Sequence, residues 1–350
     1  MRALGLPALG GATAVAYKLA CPLAQQQGAG ARIATSAVFL AVGAGIVVHA
    51  RRALLRELRQ ARRVAGAAQS VLLRPLPPRV AGLTVAAAQL SADRGAAVGG
   101  DLYEVVATEH GVRAVMGDVR GHGLGALATV AAVLGSFREA AHDEPDLGGV
   151  LRRLERALAR HLRERALAEH PSSGLVPDGS VAEEFVTLLL VEIRPDGQTH
   201  ALNCGHPWPY LLSDTRVEQL AADEPYPPLG PFPLPPELPA VPLGQLLPGD
   251  ALVLYTDGVE DARDAHGRFF PLAAVLAAAV REQPLSSQTV LRRVFGALMH
   301  HTRGAPADDV ALLVLTNSRG LPPGPRGCDR AGSAAAAWPA GAHPQPAPHR

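Results

Sequence analysis

Four short segments place aspartate beside glycine or at the end of an apolar run. They are Gly99-Gly-Asp-Leu-Tyr-Glu with Asp101, Gly117-Asp-Val-Arg-Gly-His-Gly with Asp118, Tyr255-Thr-Asp-Gly with Asp257, and Pro306-Ala-Asp-Asp-Val with Asp308 and Asp309. Each alone is weak, because an Asp-Gly pair is ordinarily a turn. Brought together at one edge of a sheet, however, these carboxylates would repel one another unless cations lay between them. Carboxylate oxygens are hard ligands that suit Mg2+ or Mn2+, and no thiolate or histidine pattern points to zinc. The neighbouring glycines let backbone carbonyls and bound water come close. Two such ions sharing a water lower its pKa toward neutrality and aim it in line at a phosphorus atom. The chemistry to expect is hydrolysis of a phosphate ester without a covalent enzyme intermediate.

The elements that must position these residues are legible as apolar runs. Strand-like runs cover 83–90, 102–107, 112–118, 186–193, 199–204, 208–213, 251–255 and 310–315, with turn signals at Glu109-His-Gly and Pro195-Asp-Gly. Helical patterns cover 124–141, 147–168, 271–282 and 286–302. Strands and helices come in clusters instead of strict alternation, which predicts an α+β fold and argues against a doubly wound parallel sheet. The catalytic domain is expected over 80–316. The proline-rich stretch 225–242 reads as a long surface loop, and 317–350, rich in Pro, Gly and Ala, as a disordered tail.

The order and wording of the motifs resemble the SpoIIE branch of the protein phosphatase 2C superfamily. That branch carries Gly-Gly-Asp-x-Tyr-Asp, Gly-Asp-Val-x-Gly-His-Gly, Asn-Ala-Gly-His-Pro, Thr-Asp-Gly and Asp-Asp before a last strand. This chain reads GGDLYE, GDVRGHG, NCGHP (Asn203 to Pro207), YTDG and DDVALLVL, a similarity over roughly 60–316. The resemblance implies an αββα sandwich of two antiparallel sheets flanked by helices, with two Mn2+ or Mg2+ ions at one edge. It implies that Asp118 bridges both ions, and that Asp101 and the Val119 carbonyl hold one. Asp257 and Asp308 hold the other, and Asp309 is the weaker ligand of its pair. It further implies a phosphoserine or phosphothreonine substrate on an anti-sigma-factor antagonist protein in a bacterium.

The chain departs from that pattern at two places. Glu104 stands where aspartate is common, so a water it held near the ions would shift. Cys204 replaces a small alanine and reads as a packing residue. Arg94, Arg120 and His122 lie near the motifs; solvated surface is the first reading for the arginines and a loop-shaping role for His122. His206 and Pro207 read as fixing a turn between strands. The alternative function is a catalytically inactive phosphoprotein-binding module of the same fold, which should have lost one of Asp101, Asp118, Asp257 or Asp308; all four are present. The Gly-Gly-Asp of diguanylate cyclases is not followed by the later motifs.

The N-terminus is of a different kind. Ile33 to Ala50 is an uncharged run of about the length that crosses a bilayer, followed at once by Arg51, Arg52, Arg56, Arg59, Arg62 and Arg63. A flank this basic belongs on the cytoplasmic side. An earlier apolar stretch, Leu4 to Ala24, contains Lys18, so 1–50 reads as a membrane anchor of one or two transmembrane helices. Residues 51–79 read as a connector helix ending at Pro75, able to relay a signal and leaving a homodimer open. The expected location is the cell membrane, with the catalytic domain cytoplasmic. A net charge of +1 gives no reason to expect nucleic acid. Three distant cysteines, Cys21, Cys204 and Cys328, suit a reducing compartment. Aromatics at 4% against 48% hydrophobic residues predict an aliphatic core.

Overall fold

The computed structural model describes residues 41–57, 60, 74–90, 99–121, 124–169, 184–214, 216–220, 224–281 and 285–320. The chain divides into two units, 1–62 and 63–350. Of the first, the structure describes helix α1 over 41–57, which exposes Val42, Val47, Val48, Leu54 and Leu55. Among the described residues no helix is long and apolar enough to cross a membrane. Residues 1–40, on which most of the anchor expectation falls, lie outside the described residues, as does most of the connector beyond residue 57.

The second unit holds eleven described strands: β1 (Arg79–Val80), β2 (Leu83–Leu90), β3 (Asp101–Thr108), β4 (Gly111–Val119), β5 (Val186–Ile193), β6 (Gln198–Cys204), β7 (Tyr210–Ser213), β8 (Arg216–Gln219), β9 (Val241–Gln245), β10 (Ala251–Tyr255) and β11 (Val310–Asn317). Its described helices are α2 (Leu124–Asp143), α3 (Leu147–Glu169), the single turn α4 (Asp257–Glu260), α5 (Leu272–Val280) and α6 (Ser287–His301). One sheet runs β1-β2-β11-β10-β7-β8 and the other β3-β4-β5-β6-β9. Neighbouring strands are antiparallel throughout both sheets.

Alternating residues divide three apolar layers among these elements. On β11, Ala311, Leu313 and Leu315 face the other sheet, while Val310, Leu312 and Val314 face α5 and α6. On β4, Val112, Ala114 and Met116 face between the sheets, and Val115 and Val119 face α2 and α3. A strand covered on both faces has no polar face to show, which is why these runs read as continuous aliphatic sequence. Each fully buried Leu or Val contributes about 1.5–3 kcal/mol. The layers amount to helices, sheet, sheet, helices: the α+β sandwich the motifs implied.

The sequence reading missed β1, β8, β9 and α4. These are short and exposed or a single turn, so periodicity has little to act on. Val241–Gln245 carries Pro242, tolerated because β9 is an edge strand. The proline-rich stretch is not wholly a surface loop either. Leu229 is fully buried, and it exchanges two backbone hydrogen bonds of 2.9 Å with Val186.

Candidate active site

Asp101 opens β3 and Asp118 lies one residue from the end of β4, and the antiparallel register sets the two directly opposite each other. Asp257 follows β10 at the first position of α4, and Asp308 and Asp309 immediately precede β11. β10 and β11 are paired in the other sheet, so the two sheets each deliver a pair of strand ends to the same edge.

Two contacts lock those ends together. Thr256 stands at the N-cap of α4, but its hydroxyl does not cap that helix. It donates instead to Asp101 Oδ2 at 3.2 Å, and accepts from the Ala311 amide at 2.8 Å. From the other direction, the Gly100 amide donates to Asp309 Oδ2 at 3.1 Å. The glycines are demanded by this closeness. A Cβ on Gly100 would collide with the Val119 carbonyl oxygen and lie 2.7 Å from Asp118 Oδ1. One on Gly258 would collide with the Asp309 carbonyl oxygen, and one on Gly99 would lie 2.5 Å from Asp309 Oδ2.

Asp101 and Asp118 form the floor, with Asp101 only 1% exposed, while Asp257 and Asp308 form a solvent-facing rim. Burial, then the charges of Asp118 and Asp309, hold the Asp101 carboxyl well above the usual range; the Thr256 hydrogen bond opposes this. Burial, followed by the charges of Asp257, Asp308 and Asp309, pushes Asp118 up to about 7. Asp257 is raised by burial and by Asp308. Among the described residues, every side-chain charge acting on these three is another aspartate. Among the described residues no three His, Cys, Asp or Glu side chains are placed so that together they could hold a metal ion. The donor set is nonetheless all oxygen, mutually repelling and lined by a backbone carbonyl at a position only glycine can face. It fits hard divalent cations such as Mg2+ or Mn2+.

The structure therefore gathers Asp101, Asp118, Val119, Asp257, Asp308 and Asp309 at one edge. It sets Glu104 elsewhere. Three residues along β3 from Asp101, Glu104 points to the opposite face, toward α2, where Arg138 Nε donates to it at 2.8 Å. It is an ion-pair partner of that helix and holds no water at the cluster, because strand alternation turns it away. Arg120 is exposed, its guanidinium 5.2 Å from the centre of the Phe185 ring. Arg94 and His122 lie outside the described residues. Cys204 is buried in the helix-facing layer and its thiol is pushed up to about 12, chiefly by burial, which leaves it an inert packing group at neutral pH. The close carbonyl approach expected at the glycines is met at Gly100 and Gly258; sequence reasoning missed Thr256, whose only signal was its place in Tyr-Thr-Asp-Gly.

Residues 108–317 match the sequence model of the family described as Stage II sporulation protein E (SpoIIE). The chain belongs to the SpoIIE family. It thus carries a phosphatase domain of the protein phosphatase 2C type. Asp101 lies just before the stretch that the SpoIIE model matches, and the cross-strand register with Asp118 is what ties it to the site. No curated protein matches the chain. Among solved structures, the SiaA-PP2C domain of Pseudomonas aeruginosa is 18% identical, with a TM-score of 0.53 over 76% of this chain and 98% of that one. The RsbU and RsbW domains of Rv1364c from Mycobacterium tuberculosis are 24% identical, with a TM-score of 0.51 over 68% of this chain. The chain spans 60% of the length of that two-domain structure. These likenesses show the shared fold. RsbX, crystallised in complex with magnesium, is 14% identical with a TM-score of 0.45 over 67% of this chain and 94% of that one.

Proposed function

We propose that this SpoIIE-family protein is a metal-dependent protein serine/threonine phosphatase. The observation that carries this reading is the convergence of five aspartates, from four segments and two sheets, on one edge where, among the described residues, the charges that raise Asp101 and Asp118 are those of other aspartates. Asp118, Asp101 and the Val119 carbonyl would hold one Mn2+ or Mg2+ ion, and Asp118 with Asp257 and Asp308 the other. When bound, such ions supply a water of lowered pKa and neutralise the phosphoryl oxygens. The chain's own residues do the rest. Thr256 fixes the Asp101 carboxylate, Asp309 tethers the Gly99-Gly100 turn across the sheets, and the exposed rim at Asp257 and Asp308 leaves the edge open to a phosphorylated side chain.

The substrate in this reading is phosphoserine or phosphothreonine on an anti-sigma-factor antagonist. It rests on the family resemblance, alongside the joint occurrence of RsbU and RsbW domains in Rv1364c. The run 33–50 with its arginine flank supports attachment to the cell membrane with the catalytic domain cytoplasmic, and 51–79 as the route of a signal.

The test uses the full-length protein with p-nitrophenyl phosphate and a phosphoserine peptide, in Mn2+, in Mg2+ and in chelator. Turnover should require a metal and fall at least about 100-fold in Asp118→Asn, the upper range seen even for residues one step removed from a metal. Turnover that survives chelation, or a folded protein inactive with both metals, would overturn the reading.

A further inference from the structure

We infer that His206 is a positioning residue for the acidic edge, bracing the strand end that leads to Asp257 against the strand pair that carries Asp118. The inference rests on the phosphatase reading above. Asn203 to Pro207 is the corner where the chain leaves β6 in one sheet and enters β7 in the other. Gly205 makes the turn at φ +67°, and the Asn203 side chain clamps it. Asn203 Nδ2 donates to the His206 carbonyl, and the His206 amide donates to Asn203 Oδ1, both at 2.8 Å. The clamp drives the imidazole inward, where His206 is 4% exposed.

On one side, Nδ1 lies 3.0 Å from Thr187 Oγ1. Thr187 is the residue of β5 directly opposite Asp118 of β4. On the other side the Tyr255 backbone is the group that favours protonation of the ring. Nε2 itself is buried and makes no well-formed hydrogen bond among the described residues. Two residues beyond Tyr255 comes Asp257, and between them Thr256 donates to Asp101, which faces Asp118. The contacts form a closed circuit: Asp118, Thr187, His206, Tyr255, Thr256, Asp101 and back to Asp118. His206 is the member that spans the gap between the sheets at this point. Burial pushes its pKa down to about 3, so the ring is neutral at working pH and is not the acid or base of the reaction. A neutral ring has one N–H and one acceptor nitrogen, so Nδ1 can pair with the Thr187 hydroxyl in either tautomer.

The test measures Mn2+ binding to the full-length protein by calorimetry, alongside urea stability and the Mn2+ concentration giving half-maximal turnover. His206→Ala should weaken Mn2+ binding about 10–100-fold and raise the half-maximal concentration in step. KM for p-nitrophenyl phosphate at saturating Mn2+ should stay put. His206→Gln, which keeps a donor and an acceptor, should recover most of the loss. Thr187→Val, which removes only the hydroxyl, should shift the same two quantities and covers the case in which His206→Ala fails to fold. Lower stability with Mn2+ binding unchanged in these variants would reduce His206 to a core residue and overturn the inference. Asp118→Asn is the control: if it too binds Mn2+ as wild type does, the metal-site reading itself fails.

Discussion

The two ends of β4 handle buried charge in opposite ways. Near its start, Arg113 is fully buried and fully provided for. Its Nε donates to Glu192 at 2.9 Å, and its terminal nitrogens donate to the carbonyls of Ala141, Glu144 and Pro145, at and just beyond the C-terminus of α2. A cation at a helix C-terminus is favourable for the helix dipole as well. Near the strand's other end, Asp118 is surrounded by Asp257, Asp308 and Asp309, and burial with their charge carries it up to about 7. One end is a charge the fold has neutralised by itself. At the other, among the described residues, the charges that raise Asp118 are all carboxylates. A cluster of carboxylates perturbed in this way is a candidate functional site.

Breaking the resolved end should give the largest effect. Arg113→Ala leaves buried Glu192 with only the half-exposed Arg194, 3.2 Å away, and should cost about 3 kcal/mol in urea unfolding. The Mn2+ affinity of the folded fraction should stay unchanged. Arg113→Met with Glu192→Leu should recover much of that loss, since the apolar pair leaves no buried charge unpaired. At the acidic end, Gly100→Ala forces a methyl into the Val119 carbonyl and should cost about 1–3 kcal/mol. Unlike Arg113→Ala, it should also weaken Mn2+ binding, and equal effects on binding from the two variants would erase the contrast.

The next effect depends on pH. In the metal-free protein Asp118 keeps its proton up to about 7, whereas the unfolded chain releases it near the ordinary 3.8. The folded state therefore binds more protons across that window and loses stability as pH rises through it. Asp118→Asn, which cannot ionise, should be more stable than metal-free wild type at pH 8, by on the order of 2 kcal/mol. The gap should close toward pH 5. His206 acts in the opposite direction, losing stability as pH falls from 6.5 toward about 3, but it is common to both proteins and cancels. Thermal melts at the two pH values decide the matter, and an equal gap at both would deny that burial and the neighbouring carboxylates raise Asp118. The smallest effect belongs to Cys204→Ala, where removal of one buried sulfur should cost about 1 kcal/mol and leave turnover and Mn2+ binding unaltered.

Much of this is legible in the sequence alone. The central strands announced themselves because each carries apolar residues on both faces, and β2, β5 and β10 match their expected limits. The aspartates were legible because a carboxylate beside glycine at the end of an apolar run is an unusual place to leave a charge. Glu104 was misread, since its nearness to Asp101 along the chain hid the alternation that points it at Arg138. β8 and β9 escaped because edge strands this short and exposed lack an apolar face to give them a period.

By itself the sequence determined the α+β class, the aliphatic core and the identity of the acidic residues. Those follow from local periodicity and from side-chain chemistry that each residue carries wherever it sits. Only the tertiary structure decided that Thr256 gives its hydroxyl to Asp101 instead of capping α4, and that Asp309 holds the Gly99-Gly100 turn. It also decided that a histidine in a turn motif reaches Thr187 opposite Asp118. Each of these joins residues of different sheets or distant segments. A contact of that kind is set by register and by the packing of one sheet on the other, and neither quantity is carried by any local stretch of sequence.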